Sequence, residues 1–195
     1  MNNLGVGVRK SLAATMLTIA ALLVTSLMGC GFLSDSFNPE SSLPIDVLKY
    51  GCLEAGEVVV VKNDGTEEFF KNKYKNGTFV NDGISLCNMA LCKPLLNDES
   101  MRKEYEDAIV VCKGYICYTL ASNSYTKYSS IDLEKDADEY SPLGADITFE
   151  FPSEEIERRQ LTVGKEVLCA GYLDFNHLEL NDINLWVNHP VDVRQ

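Results

Sequence analysis

Ala108 to Leu120 alternates in the way a strand does when one of its faces lies in a core. Its even positions, Ala108, Val110, Cys112, Gly114, Ile116, Tyr118 and Leu120, are nearly all apolar, and a period of two puts them on one side. A strand this long needs partners and a covering layer, so the segments after it decide the fold class. Ala121-Ser122-Asn123-Ser124 is a hairpin turn signal into a second strand around Thr126 to Leu133. Lys135 to Gly144 is an acidic loop, followed by a third strand, Asp146 to Phe151, with Ile147, Phe149 and Phe151 on one face. Pro152-Ser153-Glu154-Glu155 starts a helix: Ser153 can accept free backbone N–H groups and the glutamates meet the positive end of the dipole. That helix is expected to run to about Gln160 or Leu161. Gly164-Lys165 turns the chain into a fourth strand, Glu166 to Leu173. Asp174 to His177 turns it into a fifth, Leu178 to Val187, with a bulge near Asn181-Asp182.

Three strands, a helix and a hairpin, in that order, are the plan of a five-stranded OB-like Greek-key barrel with a helix between strands three and four. The stretches Tyr105 to Gly114, Leu161 to Gly171 and Leu178 to Asp182 carry a family likeness in their hydrophobic pattern and placed glycines. Residues from about 98 to 187 resemble the tRNA-anticodon-binding-like OB-fold family found in bacterial lipoproteins and other envelope proteins. The chain departs from that pattern by a longer acidic insertion before the third strand and by extra cysteines. The resemblance implies a mainly β fold with a barrel over residues 97–190, and it brings no catalytic residues with it. Val111-Cys112-Lys113-Gly114-Tyr115-Ile116 also echoes Leu168-Cys169-Ala170-Gly171-Tyr172-Leu173. In such a barrel the first and fourth strands are neighbours, and the glycines let the wall bend where side chains would crowd.

The N-terminus is of another kind. Arg9-Lys10 precedes an uncharged run, Ser11 to Met28, and then Gly29-Cys30. A basic start, an apolar middle and a small residue before the cut make a secretory signal. Leu27-Met28-Gly29-Cys30 resembles the lipobox of bacterial lipoproteins, which implies cleavage after residue 29 and acylation of Cys30. The competing readings are an uncleaved membrane helix and a plain signal peptide; the run is at the lower edge of spanning length. Two acyl chains suffice for stable anchoring where one is marginal. Residues 1–29 are thus expected to be a lipoprotein signal peptide and 30–44, rich in Ser, Pro, Gly and Asn, a flexible tether. The expected location is the extracytoplasmic face of the cell membrane.

Residues 45–96 are expected to form a small N-terminal α+β subdomain. Glu57 to Lys62 is a short β-branched strand and Asn63-Asp64-Gly65 a turn. Asn76-Gly77 and Asp82-Gly83 are further turn signals, and Ile84 to Leu96 is an apolar helix that Pro94 should stop. Asp98 or Ser100 is placed to cap a short helix through Met101 to Tyr105.

Charge and cysteines narrow the function. The formal charge is −12, and loss of Arg9 and Lys10 with the signal takes it to −14. Such a body repels phosphate backbones, which disfavours nucleic acid as a partner. It also disfavours adhesion to anionic lipid heads, which leaves the covalent lipid alone as the expected membrane link. Beyond Cys30 there are six cysteines: Cys52, Cys87, Cys92, Cys112, Cys117 and Cys169. Disulfides, buried free thiols and zinc are the three readings, with the extracytoplasmic setting favouring the first. Cys112 and Cys169 sit on the apolar faces of strands expected to be adjacent, so they are the candidate pair.

No metalloprotease helix, nucleophile elbow or phosphate-binding glycine loop occurs. His177 and His189 fall in a turn and near the terminus. Asp132, Asp136, Asp138 and Glu139 cluster, but no glycine lies within that stretch to bend it round a calcium ion. Tyr115 and Tyr172 point outward from the first and fourth strands, where they are either a candidate binding face or, the favoured reading, part of ordinary barrel and interface packing. The expectation is a non-catalytic binding or structural module of the envelope, with no cofactor and an envelope protein or small ligand as partner. The alternative is a hydrolase or carrier of envelope components using the acidic loop and the outward tyrosines.

Overall fold

The computed structural model describes residues 43–120, 129–136, 147–152, 154–175 and 185–195, without the side chains of 189–191. The chain divides into two units, 1–38 and 39–195, and all the described residues belong to the second. That unit is mainly β, with a large sheet and few helices.

Nine strands are described: β1 (Glu57–Val61), β2 (Glu67–Phe70), β3 (Lys73–Lys75), β4 (Thr78–Asn81), β5 (Ile109–Leu120), β6 (Ser129–Glu134), β7 (Ile147–Phe151), β8 (Glu166–Leu173) and β9 (Leu185–Arg194). The helices are α1 (Gly83–Asn97), α2 (Glu99–Glu104) and the single turn α3 (Glu155–Arg158), with a 3₁₀ turn at Val47–Tyr50. Seven strands join in the order β2-β1-β5-β6-β7-β9-β8, and β8 pairs back onto β5. Strands β5, β6, β7, β9 and β8 therefore form a closed ring of pairings, antiparallel except between β7 and β9.

The long strand β5 is the hub of this arrangement. On one edge its first half pairs with β1 and its second half with β6, while the other edge pairs with β8. The switch from β1 to β6 falls at Gly114, where a Cβ would stand 2.7 Å from the Glu134 carbonyl oxygen. A side chain there would push β6 away, so the bend requires glycine. Beyond it the register shifts between Ile116 and Tyr118. This bulge reverses the alternation, which puts Tyr118 in solvent and leaves Leu120 half-buried, contrary to the expectation that both face the core.

Residues 45–96 share sheet and core with the rest of the unit. Strand β1 lies between β2 and β5, and all five of its residues are buried. Val58 and Val60 face the main core with Val110, Cys112 and the helix residues Ile84, Cys87 and Leu91. Val59 and Val61 face a second cluster with Ile109, Val111, Leu168 and Ala170, covered by Leu43, Val47, Tyr50 and Leu53. A strand buried on both faces is a continuous β-branched run, which is what Val58 to Val61 is. The main core continues through the ring with Ile116, Ile131, Leu133, Ile147, Phe149, Phe151, Leu185 and Val187.

Several element ends differ from expectation. Asp82, read as part of a turn, caps α1 by accepting the Ser85 N–H at 2.5 Å. Pro94 does not stop α1, which continues to Asn97. Its last carbonyls find donors: Asp98 N–H bonds Pro94 at 2.8 Å, Arg102 bonds Leu95 and Leu96, and Asn97 bonds Lys93. Asp98 rather than Ser100 caps α2, accepting from Ser100 and Met101. Helix α3 is shorter than expected; Gln160 adopts a positive φ of 54° and Leu161 N–H closes back on Ile156 at 3.0 Å. Strand β9 continues past Val187 to Arg194 because β8 supplies a full partner edge, with Leu168 opposite Arg194. A register shift between Ala170 and Tyr172 falls where β9 carries Pro190, which has no N–H for a ladder. The bulge expected near Asn181-Asp182, the turn at 121–124 and the loop from 137 to 146 lie outside the described residues.

Candidate functional site

Three places on the described surface and core hold chemistry worth weighing. The first is a cleft of about 550 Å³ lined by Lys62, Asn63, Asp64, Thr66, Lys103 and Glu104. Lys62 directly follows β1 and is only 9 % exposed. Its ammonium lies 2.5 Å from Glu68 and 2.5 Å from Glu104, and 4.5 Å from the centre of the Tyr105 ring. Tyr105 donates its hydroxyl to Glu68 at 2.7 Å. The network ties β1 and β2 to the end of α2.

Its electrostatics are those of a clamp. The hydrogen bonds to Glu104 and Glu68 raise the Lys62 pKa, so the amine stays protonated. A nucleophilic lysine needs the opposite shift. Burial pushes the Tyr105 phenol up to about 12, and the bond to Glu68 adds to the rise. Burial also pushes Glu68 up, but the bonds from Lys62 and Tyr105 outweigh it and hold the carboxyl below its ordinary value.

The second place is the line of buried thiols. Cys112 on β5 is directly opposite Cys169 on β8. Cys87 and Cys92 on α1 belong to the same core. All six described cysteines are free thiols in this structure, and only Cys52 is exposed. Burial raises the Cys87, Cys112 and Cys169 thiols, which is the reverse of an activated thiolate. Cys117 sits at the β5 bulge and donates to the Asp132 carbonyl at 3.2 Å, away from the other thiols' core. Among the described residues no three Cys, His, Asp or Glu side chains converge on a point that could hold a metal ion.

The third place is the β3–β4 hairpin, a separate two-stranded sheet. Its turn is Asn76-Gly77, with φ of 52° and 76°, the positive pair a tight hairpin turn requires. Tyr74 and Phe79 face each other across it, edge to face at 5.8 Å between ring centres. Lys135 stands 4.4 Å from the Phe79 ring, and Lys71 5.8 Å from the Phe69 ring.

The residues chosen from sequence are only partly brought together. Cys112 and Cys169 meet in register. Tyr115 pairs with Glu166 and Tyr172 with Ile109, at opposite ends of the same ladder, roughly 20 Å apart at the usual rise per residue. Tyr172 is also packed against the second core, so the two do not make one face. Asp132 accepts from the Thr148 hydroxyl at 2.7 Å and Asp136 pairs with Lys135 at 2.8 Å. Cys30, Asp138, Glu139, His177 and the His189 side chain lie outside the described residues. Sequence reading missed the Lys62 network, whose members are dispersed along the chain. It also missed the hairpin, whose acid-free run Phe69 to Asn81 was there to be counted. Among the described residues no helix is long and apolar enough to cross a membrane. In comparisons with known proteins, no family model, no curated protein and no solved structure matches the chain.

Proposed function

We propose that the chain is a membrane-anchored surface lipoprotein, held on the extracytoplasmic face by acylated Cys30, whose folded part is a non-catalytic binding or structural module of the envelope. The observation that carries it is the basic pair, apolar run and Leu27-Met28-Gly29-Cys30 in immediate succession. We infer further that residues 97–190 are an OB-like Greek-key barrel. The ring order β5-β6-β7-β9-β8, with parallel β7 and β9 and α3 between β7 and β8, supports that assignment.

The non-catalytic reading draws support from the groups that are present. Lys62 is held protonated between two carboxylates, and the buried thiols of Cys87, Cys112 and Cys169 are shifted away from reactivity. The hydrolase or carrier alternative has less behind it, because Tyr115 and Tyr172 stand at opposite ends of their ladder.

Growth of producing cells with a clickable palmitate analogue tests the anchor. The full chain takes up label and loses residues 1–29, and Cys30→Ser abolishes labelling. Label that persists in Cys30→Ser, or a mature protein that still begins at Met1, overturns the proposal.

A further inference from the structure

The β3–β4 hairpin has properties that the rest of this acidic molecule lacks. From Phe69 to Asn81 the chain holds Lys71, Lys73 and Lys75 and no carboxylate, against a whole-chain charge of −12. Among the described residues none of these lysines is in an ion pair. The flanking acids are engaged: Glu67 by Lys49 and Tyr50, Glu68 by Lys62 and Tyr105, Asp82 by the Ser85 N–H. Every residue from Lys73 to Val80 is exposed. Tyr74, Phe79 and Val80 keep 56, 41 and 59 % of their surface in water, and Phe69 beside them keeps 50 %. A lone two-stranded sheet is marginal in water, so leaving apolar side chains uncovered on both its faces costs stability unless something takes them up.

We propose that this hairpin is a second membrane contact, docking on anionic lipid headgroups beside the point where Cys30 is anchored; the inference rests on the lipoprotein proposal. Lysines and aromatic side chains together suit the bilayer interface, where the ring enters the headgroup layer and the ammonium stays at the phosphate level. A body of net negative charge is repelled from such a surface in every orientation except one that presents an excess of cations. The hairpin does so, with Lys71, Lys73, Lys75 and the neighbouring Lys135 against Glu54, 3.5 Å from the Tyr74 hydroxyl, and Asp136, so it also sets orientation. Between Cys30 and Leu43 the chain can reach at most roughly 45 Å, which keeps the hairpin at high local concentration near the bilayer. The repulsion expected from total charge is thus overcome locally.

The test uses the full chain carrying Val80→Trp, with the parent chain as the blank for Trp186. Both are reconstituted into vesicles of brominated phosphatidylcholine, alone or with one-third brominated phosphatidylglycerol, and indole quenching is read. Quenching is expected in the anionic vesicles and not in the neutral ones, and added salt should reverse it. Lys71→Gln, Lys73→Gln and Lys75→Gln, all at exposed positions, should each lower the docked-to-free ratio about fivefold. Equal quenching in the two vesicle types, or none in either, overturns the proposal. So does crosslinking of the hairpin to an acidic protein without lipid quenching. Either acylated Cys30 or an uncleaved apolar run keeps the chain on the vesicle, so the quenching readout does not require the acyl group. Palmitate label without lipid-dependent quenching sinks this inference alone; quenching without label sinks the anchor alone.

Discussion

At the scale of single residues, Asn88 ties helix to sheet. It is a buried polar side chain on α1, and its oxygen accepts the Leu185 backbone N–H at 3.0 Å at the start of β9. A buried donor without its acceptor costs about 1–3 kcal/mol. Asn88→Ala is expected to lower unfolding stability by about that amount, read from urea midpoints at constant slope. An unchanged midpoint would show that Leu185 N–H finds another acceptor. Gly114 acts through the atom it lacks, since a Cβ would meet the Glu134 carbonyl. The sequence offered Gly114 as a place where the wall bends, without naming Glu134 as what a side chain would meet. It offered Asn88 without its meaning, since an asparagine at a helical position shows nothing of a partner 97 residues away along the chain.

At the scale of elements, the Lys62–Glu68–Glu104–Tyr105 network is what joins α2 to the β1–β2 hairpin, and it carries a pH signature. The Tyr105 pKa rises from 10.0 to about 12 on folding, so the fold favours the protonated phenol. Its contribution is fully present below pH 10 and lost as pH climbs towards 12. Lys62 is raised too, so its contribution is likewise complete below its ordinary 10.5 and lost in more alkaline solution. Glu68 is lowered, so its share is present above 4.5 and lost as pH falls. Stability should therefore decline between pH 10 and 12, and Tyr105→Phe should flatten that decline. Urea unfolding across the interval measures it; an identical slope in the variant refutes the assignment. The ends of helices also belong to this scale. Pro94 alone argues for a stop at residue 93, yet Arg102 and Asn97 supply donors that let α1 keep its last turn.

At the scale of the whole molecule, closure of the ring rests on β8 returning to β5, and Cys112 faces Cys169 at that seam. Directly opposed residues on antiparallel strands have Cβ atoms about 4.5–5.5 Å apart, which adjoins disulfide geometry. In an oxidising compartment the two thiols are expected to be converted to a disulfide by thiol–disulfide exchange, the donor disulfide taking up both electrons and both protons as two thiols. The bridge would close a loop of more than fifty residues and stabilise by about 4 kcal/mol in the chain-entropy model. Peptide mapping of the mature, non-reduced protein checks this, and a Cys112 or Cys169 that is unlinked or bridged elsewhere contradicts it.

Where the signal is local, the sequence alone was enough. Alternation marked Ile147, Phe149 and Phe151 as inward, and turn signals marked Asn76-Gly77 and, at Gly164-Lys165, the entry to the strand from Glu166 to Leu173, because period and turn chemistry are local properties. Only the tertiary structure decided that β1 is buried on both faces, since a valine run reads the same in a small subdomain as in the middle of a sheet. It also decided the β5 bulge, the extension of β9 to Arg194 and the Lys62 network. Each of these depends on what a distant segment places alongside, and that is a property of register and packing that no window of the chain contains.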